Sequence, residues 1–217
     1  MAAHASARSQ LGKRCKGQYY GMSITTLDTS MSKSSPMRMQ AYFKSHGYVP
    51  GGIVTNSKNE ALHMERLPAF LRTLMVADGT VTKCLEAYFW EQVEVENLGQ
   101  APVTLQEAIP ALDLHAGDTV LERRVRLQGV ESGRVFAHAH SLIKLEALPE
   151  HLRDDLQQGR IGIGELLRER GLETYREILD VGHADASAES LYRTYRIVIQ
   201  HQPAILITET FPCSVYR

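Results

Sequence analysis

The sequence predicts an α+β domain built on a single antiparallel β-sheet, its helices clustered between the strands. Three observations carry that expectation. Strand-like alternation recurs in stretches joined by short turns, as hairpins require. The helix-like segments cluster between those stretches instead of alternating with them one for one, which a doubly wound sheet would need. And 217 residues, 43% of them hydrophobic, suffice for one well-buried core.

Leu67, Phe70, Leu71, Leu74 and Met75 recur at helical spacing, with Pro68 in the first turn and Asp78 and Gly79 closing the run. Thr80 opens a second helix whose apolar side holds Val81, Cys84, Leu85, Tyr88 and Phe89, so the pair reads as a helical hairpin. Val93 and Val95 then alternate with Glu94 and Glu96 as a short strand, and a proline-containing connection follows. Residues 119–127 alternate again, a loop carries Gly129 and Gly133, and 135–143 form the returning arm of a hairpin. Pro149 starts a helix holding Leu152 and Leu156 that ends at Gly159, and the glycine-rich run 159–164 turns into another helix around 165–170. Residues 175–181 read as a strand. A last hairpin pairs 191–199 with 204–211 across a turn at 201–203.

The first 40 residues differ from the rest. Arg8, Lys13, Arg14, Lys16, Lys33 and Arg38 face a single acid, Asp28. No amphipathic face repeats there at helical spacing, so residues 1–41 read as a loosely ordered N-terminal extension rather than a transit peptide. The folded domain is expected over 42–217.

A formal net charge of −1 lacks the basic surplus that a nucleic-acid or anionic-membrane partner would call for, and it points to a compact small-molecule substrate. Cys15, Cys84 and Cys213 follow neither disulfide nor metal spacing, which suits a reducing cytoplasm. No apolar run approaches the roughly 20 residues that span a bilayer.

Two charged residues stand out by their position in the alternation. Side chains two apart on a strand share a face. Arg123 therefore shares its face with Leu121, Val125 and Leu127, and Glu209 shares its own with Ile205, Ile207 and Phe211. A lone buried charge costs several kcal/mol, so each of the two needs a partner. One reading pairs them with each other or with further protein groups. The other has a ligand complete the balance, Arg123 gripping a carboxylate in a two-pronged fashion and Glu209 accepting a hydrogen bond from a hydroxyl on the same molecule. Periodicity alone does not choose between them. Gly162, Ile163 and Gly164 lead into a helix start, where backbone N–H groups are free. The run lacks the lysine and hydroxyl residue of a phosphate loop, and no strand precedes it as in a dinucleotide fingerprint.

Several stretches together resemble the chorismate lyase family, in particular its mycobacterial-type branch that forms 4-hydroxybenzoate. They are 67–72 (LPAFLR), 78–83 (DGTVTK), 120–127 (VLERRVRL), 141–143 (SLI), 162–165 (GIGE), 195–196 (YR), 207–211 (ITETF) and 214–217 (SVYR). The resemblance implies a lyase that removes pyruvate from chorismate with neither metal nor organic cofactor. It also implies a single antiparallel sheet with helices closing a buried pocket beneath two flaps, the helical hairpin around 78–83 supplying one. By the same likeness Arg123 takes the place of the carboxylate-binding arginine, Ile163 that of a backbone N–H donor to the same carboxylate, and Glu209 that of the glutamate meeting the ring hydroxyl. Arg123 and Glu209 are thus the expected catalytic pair. Val81 falls on a pocket-lining position that is methionine in the ubiquinone-pathway enzymes. A cytoplasmic monomer or weak dimer with slow product release is expected.

Two rival functions share these features: a diverged member acting on another aromatic or polyketide substrate, and a non-catalytic small-ligand-binding module like the effector domains of transcription regulators. His138 and His140 alternate with Phe136 and Leu142, but no third ligand stands at a telling spacing, so no metal is expected.

Overall fold

The computed structural model of the chain describes residues 47–158 and 162–216. The extension expected over 1–41, and the stretch 159–161 of the glycine-rich run, lie outside the described residues.

Six strands form one antiparallel sheet from two meanders. The first is β3 (Val93–Thr104), β4 (Thr119–Gly129) and β5 (Val135–Ile143); the second is β6 (Thr174–His183), β7 (Ser190–Ile199) and β8 (Gln202–Pro212). The meanders meet where β8 pairs with β5, giving the order β3-β4-β5-β8-β7-β6. Helices α1 (Ala69–Val76) and α2 (Val81–Phe89) precede this sheet, and α3 (Glu150–Gln158) and α4 (Ile163–Glu169) connect its halves. Their apolar sides join one core with the odd-numbered residues of the central strands: Leu71, Leu74, Leu85 and Leu166 pack in the same cluster as Leu121, Ile143, Ile205 and Phe211. Each leucine so buried contributes roughly 1.5–3 kcal/mol relative to exposure. Apart from Phe136 and Ala204, which enter the main core beside irregularities of register, the even-numbered residues of the same strands form the outer face. There a second, smaller cluster of Leu112, Leu114 and Val120 packs with Leu142 and Leu206 beneath the connection 105–118. No helix among the described residues is long and apolar enough to cross a membrane.

The helical hairpin forms where the periodicity places it. Leu71, Leu74 and Met75 of α1 and Val81 and Leu85 of α2 are buried. Trp90, in the left-handed region at φ 58°, ends α2 by returning its N–H to the Glu86 carbonyl at 2.8 Å.

Three expectations need correction. The sheet is not single: β1 (Ile53–Thr55) and β2 (Ala61–His63) make a separate two-stranded hairpin. Strands of three residues are too short to register as alternation, and this hairpin is organised by a side chain. Asn56 Oδ1 accepts the N–H groups of Lys58 and Glu60 at 3.0 and 2.8 Å, an Asx-type turn. Second, β3 does not stop before the prolines but runs through Pro102 to Thr104. Pro102 is tolerated because β3 is an edge strand, where a missing donor can face away from the ladder. Third, the last hairpin turns at Gln200 and His201, whose φ values of 49° and 65° suit a two-residue turn. Pro203 belongs to β8 and pairs with Val198 at a register irregularity.

Candidate functional site

A cavity of about 330 Å³ lies between the helix-bearing face of the sheet and the starts of α2 and α4. Its existence follows from what β5 contributes. Along that face β5 carries Ala139 and Ser141 at the middle of the sheet, and both line the cavity. Where the neighbouring strands carry large side chains, β5 leaves room.

Around this low floor stand the two charged residues that the alternation singles out. Arg123 on β4 is 1% exposed and is paired in register with Ser141; Glu209 on β8 is 6% exposed and is paired with Ala139. Both line the cavity from the same face. One strand separates theirs and their register positions on it are two residues apart, so their backbones are offset by about 10 Å across the strands and about 7 Å along them. Burial holds the Arg123 guanidinium below the ordinary arginine range, yet a guanidinium stays charged at any accessible pH.

Glu209 already has a protein partner, and it is not Arg123. Arg193 Nε on β7, itself 1% exposed, donates to Glu209 Oε2 at 2.7 Å. The Tyr195 hydroxyl donates to the other oxygen at 3.1 Å. Arg193 Nη1 also reaches the Leu74 carbonyl and, at 2.6 Å, that of Ala77. Those carbonyls sit at the C-terminal end of α1, where a cation is favoured. One guanidinium therefore clamps the helical hairpin and orients Glu209. Burial works against the charge on Arg193, but the Glu209 carboxylate and Tyr195 outweigh it and hold the group above its ordinary range. Burial first, and then the negative charge of Glu209, push the Tyr195 hydroxyl far up. It stays a proton donor throughout the working range of pH. A carboxylate offers about four acceptor positions, so Glu209 keeps capacity for a ligand beyond these two bonds.

For Glu209, then, the reading in which a further protein group balances the charge holds. The alternation that picks out Arg123 and Glu209 also contains Arg193, which shares its face with Leu191, Tyr195, Ile197 and Ile199. Applied to β7, the same rule would have found it.

The two helix starts complete the walls. Ile163, the first residue of α4, is buried and lines the cavity with Gly162 and Gly164. Its N–H is among the first four of the helix, which have no partner within it. From the hairpin, Thr80, Thr82, Lys83 and Glu86 line the cavity. Val81 is the exception among the four expected site residues. It is buried in the main core, and the threonines on either side line the cavity in its place. On a helix, successive residues point about 100° apart, so a lining role passes from Val81 to its neighbours.

The remaining candidates lie elsewhere. His138 and His140 are exposed on the outer face, His140 Nε2 lying 2.8 Å from Glu122 Oε1. Cys84 and Cys213 are half-buried and packed against the core. Among the described residues no three His, Cys, Asp or Glu side chains converge as metal ligands would.

Comparisons with known proteins bear on this geometry. A family model described as Chorismate pyruvate-lyase Rv2949c-like matches residues 75–217. The chorismate pyruvate-lyase of Mycobacterium leprae (strain TN) is 30% identical over 176 residues, which cover 76% of this chain and 84% of that protein. The chorismate pyruvate-lyase of Mycobacterium tuberculosis (strain ATCC 25618 / H37Rv) is 27% identical over 170 residues, covering 71% and 85% respectively. Among solved structures, PhnF from Mycobacterium smegmatis superposes with a TM-score of 0.49 at 15% identity, covering 64% of this chain and 65% of that one.

Proposed function

The chain belongs to the Rv2949c-like chorismate pyruvate-lyase family, and from that premise we propose that it eliminates pyruvate from chorismate to leave 4-hydroxybenzoate, with Arg123 and Glu209 holding the substrate between them. The observation that best supports these roles is the pair of buried, opposite charges on one sheet face, set around the low floor of Ala139 and Ser141.

Chorismate carries a ring carboxylate, a hydroxyl at C4 and an enolpyruvyl ether at C3. In the elimination the C3–O bond breaks and its electron pair leaves with the enolpyruvyl oxygen. The C4–H electron pair becomes the new ring double bond, and the proton ends on the enolpyruvyl methylene, giving pyruvate and an aromatic ring. Aromatisation makes the reaction strongly downhill, so the protein has mainly to orient the substrate and stabilise charge on the departing group. In this reading Arg123 and the Ile163 N–H anchor the ring carboxylate by charge-assisted hydrogen bonds. Glu209, held in place by Arg193 and Tyr195, accepts the C4 hydroxyl proton in a hydrogen bond. That bond sets the face on which C4–H lies.

The test is direct. Purified protein incubated with chorismate releases pyruvate and an aromatic acid absorbing as 4-hydroxybenzoate. Binding of chorismate without either product would instead mark a ligand-binding module, and inertness toward chorismate would mark a diverged substrate.

A further inference from the structure

Chorismate has two carboxylates, and the pair Arg123–Ile163 accounts for one. Resting on the lyase reading above, we propose that Lys83 is the recognition group for the second, the carboxylate of the enolpyruvyl arm, and so makes the site selective for a dicarboxylate over its monocarboxylate product.

Lys83 lines the cavity from α2, on the same stripe as Thr82 and Glu86. It is exposed as well as lining, so it belongs to the part of the wall that solvent reaches. Nothing local explains a cation there. Lys83 sits in the first turn of α2, a turn without an acidic residue, and the partial positive charge of a helix start disfavours a lysine. Its neighbour one turn on, Glu86, is at a spacing that commonly pairs with lysine. Instead, Glu86 Oε1 accepts the Val93 N–H at 3.3 Å. Among the described residues Lys83 takes part in no ion pair, although Glu86 and Glu165 line the same cavity. A helix start that repels this cation and acids that leave it alone are what an anionic ligand at the mouth would redress.

The other lining cation outside the sheet is Arg168 on α4. It stands in the last turn of its helix, where the dipole favours a positive charge, so helix electrostatics account for it without a ligand. The starts of the two helices lie close together: a Cβ built on Gly164 would come 3.5 Å from Thr80 Cγ2. Lys83 is therefore one turn or less from the point where the walls meet, well placed to reach an arm leaving the ring beside α4.

The experiment compares Lys83→Gln with the unmodified protein on two ligands, chorismate as substrate and 4-hydroxybenzoate as inhibitor. Loss of a charge-assisted contact made in both ground and transition state raises KM for chorismate about tenfold or more and leaves kcat nearly unchanged. Inhibition by 4-hydroxybenzoate, which lacks the second carboxylate, changes less than twofold. Lys83→Arg restores most of the chorismate affinity, and Arg168→Gln has the smaller effect. An unchanged KM, an equal loss for both ligands, or a larger effect at Arg168 than at Lys83 would overturn the assignment. Unmodified protein that releases no pyruvate would defeat the lyase reading by itself. The Lys83 inference is then read from calorimetric titration of the same two ligands, where the glutamine variant must lose the dicarboxylate selectively.

Discussion

Strand β4 puts Arg123 and Arg124 side by side in sequence and on opposite faces of one sheet. The two faces handle charge in opposite ways. Toward the helices, Arg123, Arg193 and Glu209 are all buried, and Glu209 is held by donors fixed from a neighbouring strand. Toward solvent, Arg124 pairs with Glu122 at 2.9 Å, Glu122 also meets His140, and Arg126 reaches Glu96, all on an accessible surface. Surface pairs of this kind contribute about 0–1 kcal/mol each. Charges withdrawn from water cost several kcal/mol apiece and persist only where the surroundings hold them in place. What separates a site from a surface here is which charges the core has been built around.

The largest expected effect comes from breaking the inner network. Arg193→Met leaves Glu209 buried without its ion-pair partner and frees the carbonyls at the end of α1, and it costs about 3–5 kcal/mol of stability. Adding Glu209→Gln removes the stranded charge. Denaturant unfolding should therefore show the double variant to be more stable than the single one. Equal destabilisation of both would mean that Arg193 acts only as a clamp on α1 and not on Glu209.

Next in size is the anchor. Arg123→Ala lowers chorismate turnover by about 100-fold or more, the worth of a two-pronged charge-assisted contact, while its unfolding stays cooperative. Arg124→Ala, one residue along and on the other face, stays within about twofold. Steady-state pyruvate release reads both. Comparable losses at the two arginines would erase the contrast between the faces.

A smaller effect tests the floor. Ala139→Leu places added methylenes in space that is empty in the protein, so stability changes by less than about 1 kcal/mol, unlike overpacking in a filled core, which costs about 1–3. Affinity for chorismate should fall about tenfold or more, seen as a raised KM. A destabilised variant with normal KM would show that Ala139 packs against protein and not against substrate.

Much of this contrast is legible in the sequence, and its limits have physical causes. Alternation in 119–127, 135–143 and 204–211 places β5 to the residue and β4 and β8 to within two residues at each end, because one apolar face and one polar face leave a period of two. The same period points Arg123 and Glu209 inward. Arg193 obeys it equally, on β7, and is found as soon as the rule is applied there. Other features leave no such trace. The β1–β2 hairpin depends on the Asn56 side chain and on Ser57 bonding Asp180 at 3.0 Å, a contact between residues 123 apart. That Val81 is in the core while Thr80 and Thr82 line the cavity depends on how α2 is rotated about its axis. A helix with apolar residues at Val81 and Leu85 fixes that rotation only once the sheet beneath it is known. The cavity itself comes from small residues on β5 meeting large ones on β4 and β8, a property of three strands together.

The weakest effect belongs to the outer face and defines its lower bound. Hydrogen bonds from Arg124 first, and from His140 second, hold the Glu122 carboxyl below its ordinary range. A carboxylate with a lowered folded-state value binds fewer protons when folded than when unfolded. Its contribution is therefore complete above the unfolded value of about 4.3 and is lost as pH falls through the lowered one. Glu122→Gln should cost less than about 1 kcal/mol at pH 7 and less at pH 3, where the glutamate is largely protonated in the unfolded chain and its advantage is shrinking. Thermal melts of the two proteins at both pH values measure the difference. A gap that does not shrink between pH 7 and pH 3 would mean that Glu122 is held by shape and not by charge, and the outer face would then share with the inner one a feature that burial alone was taken to confer.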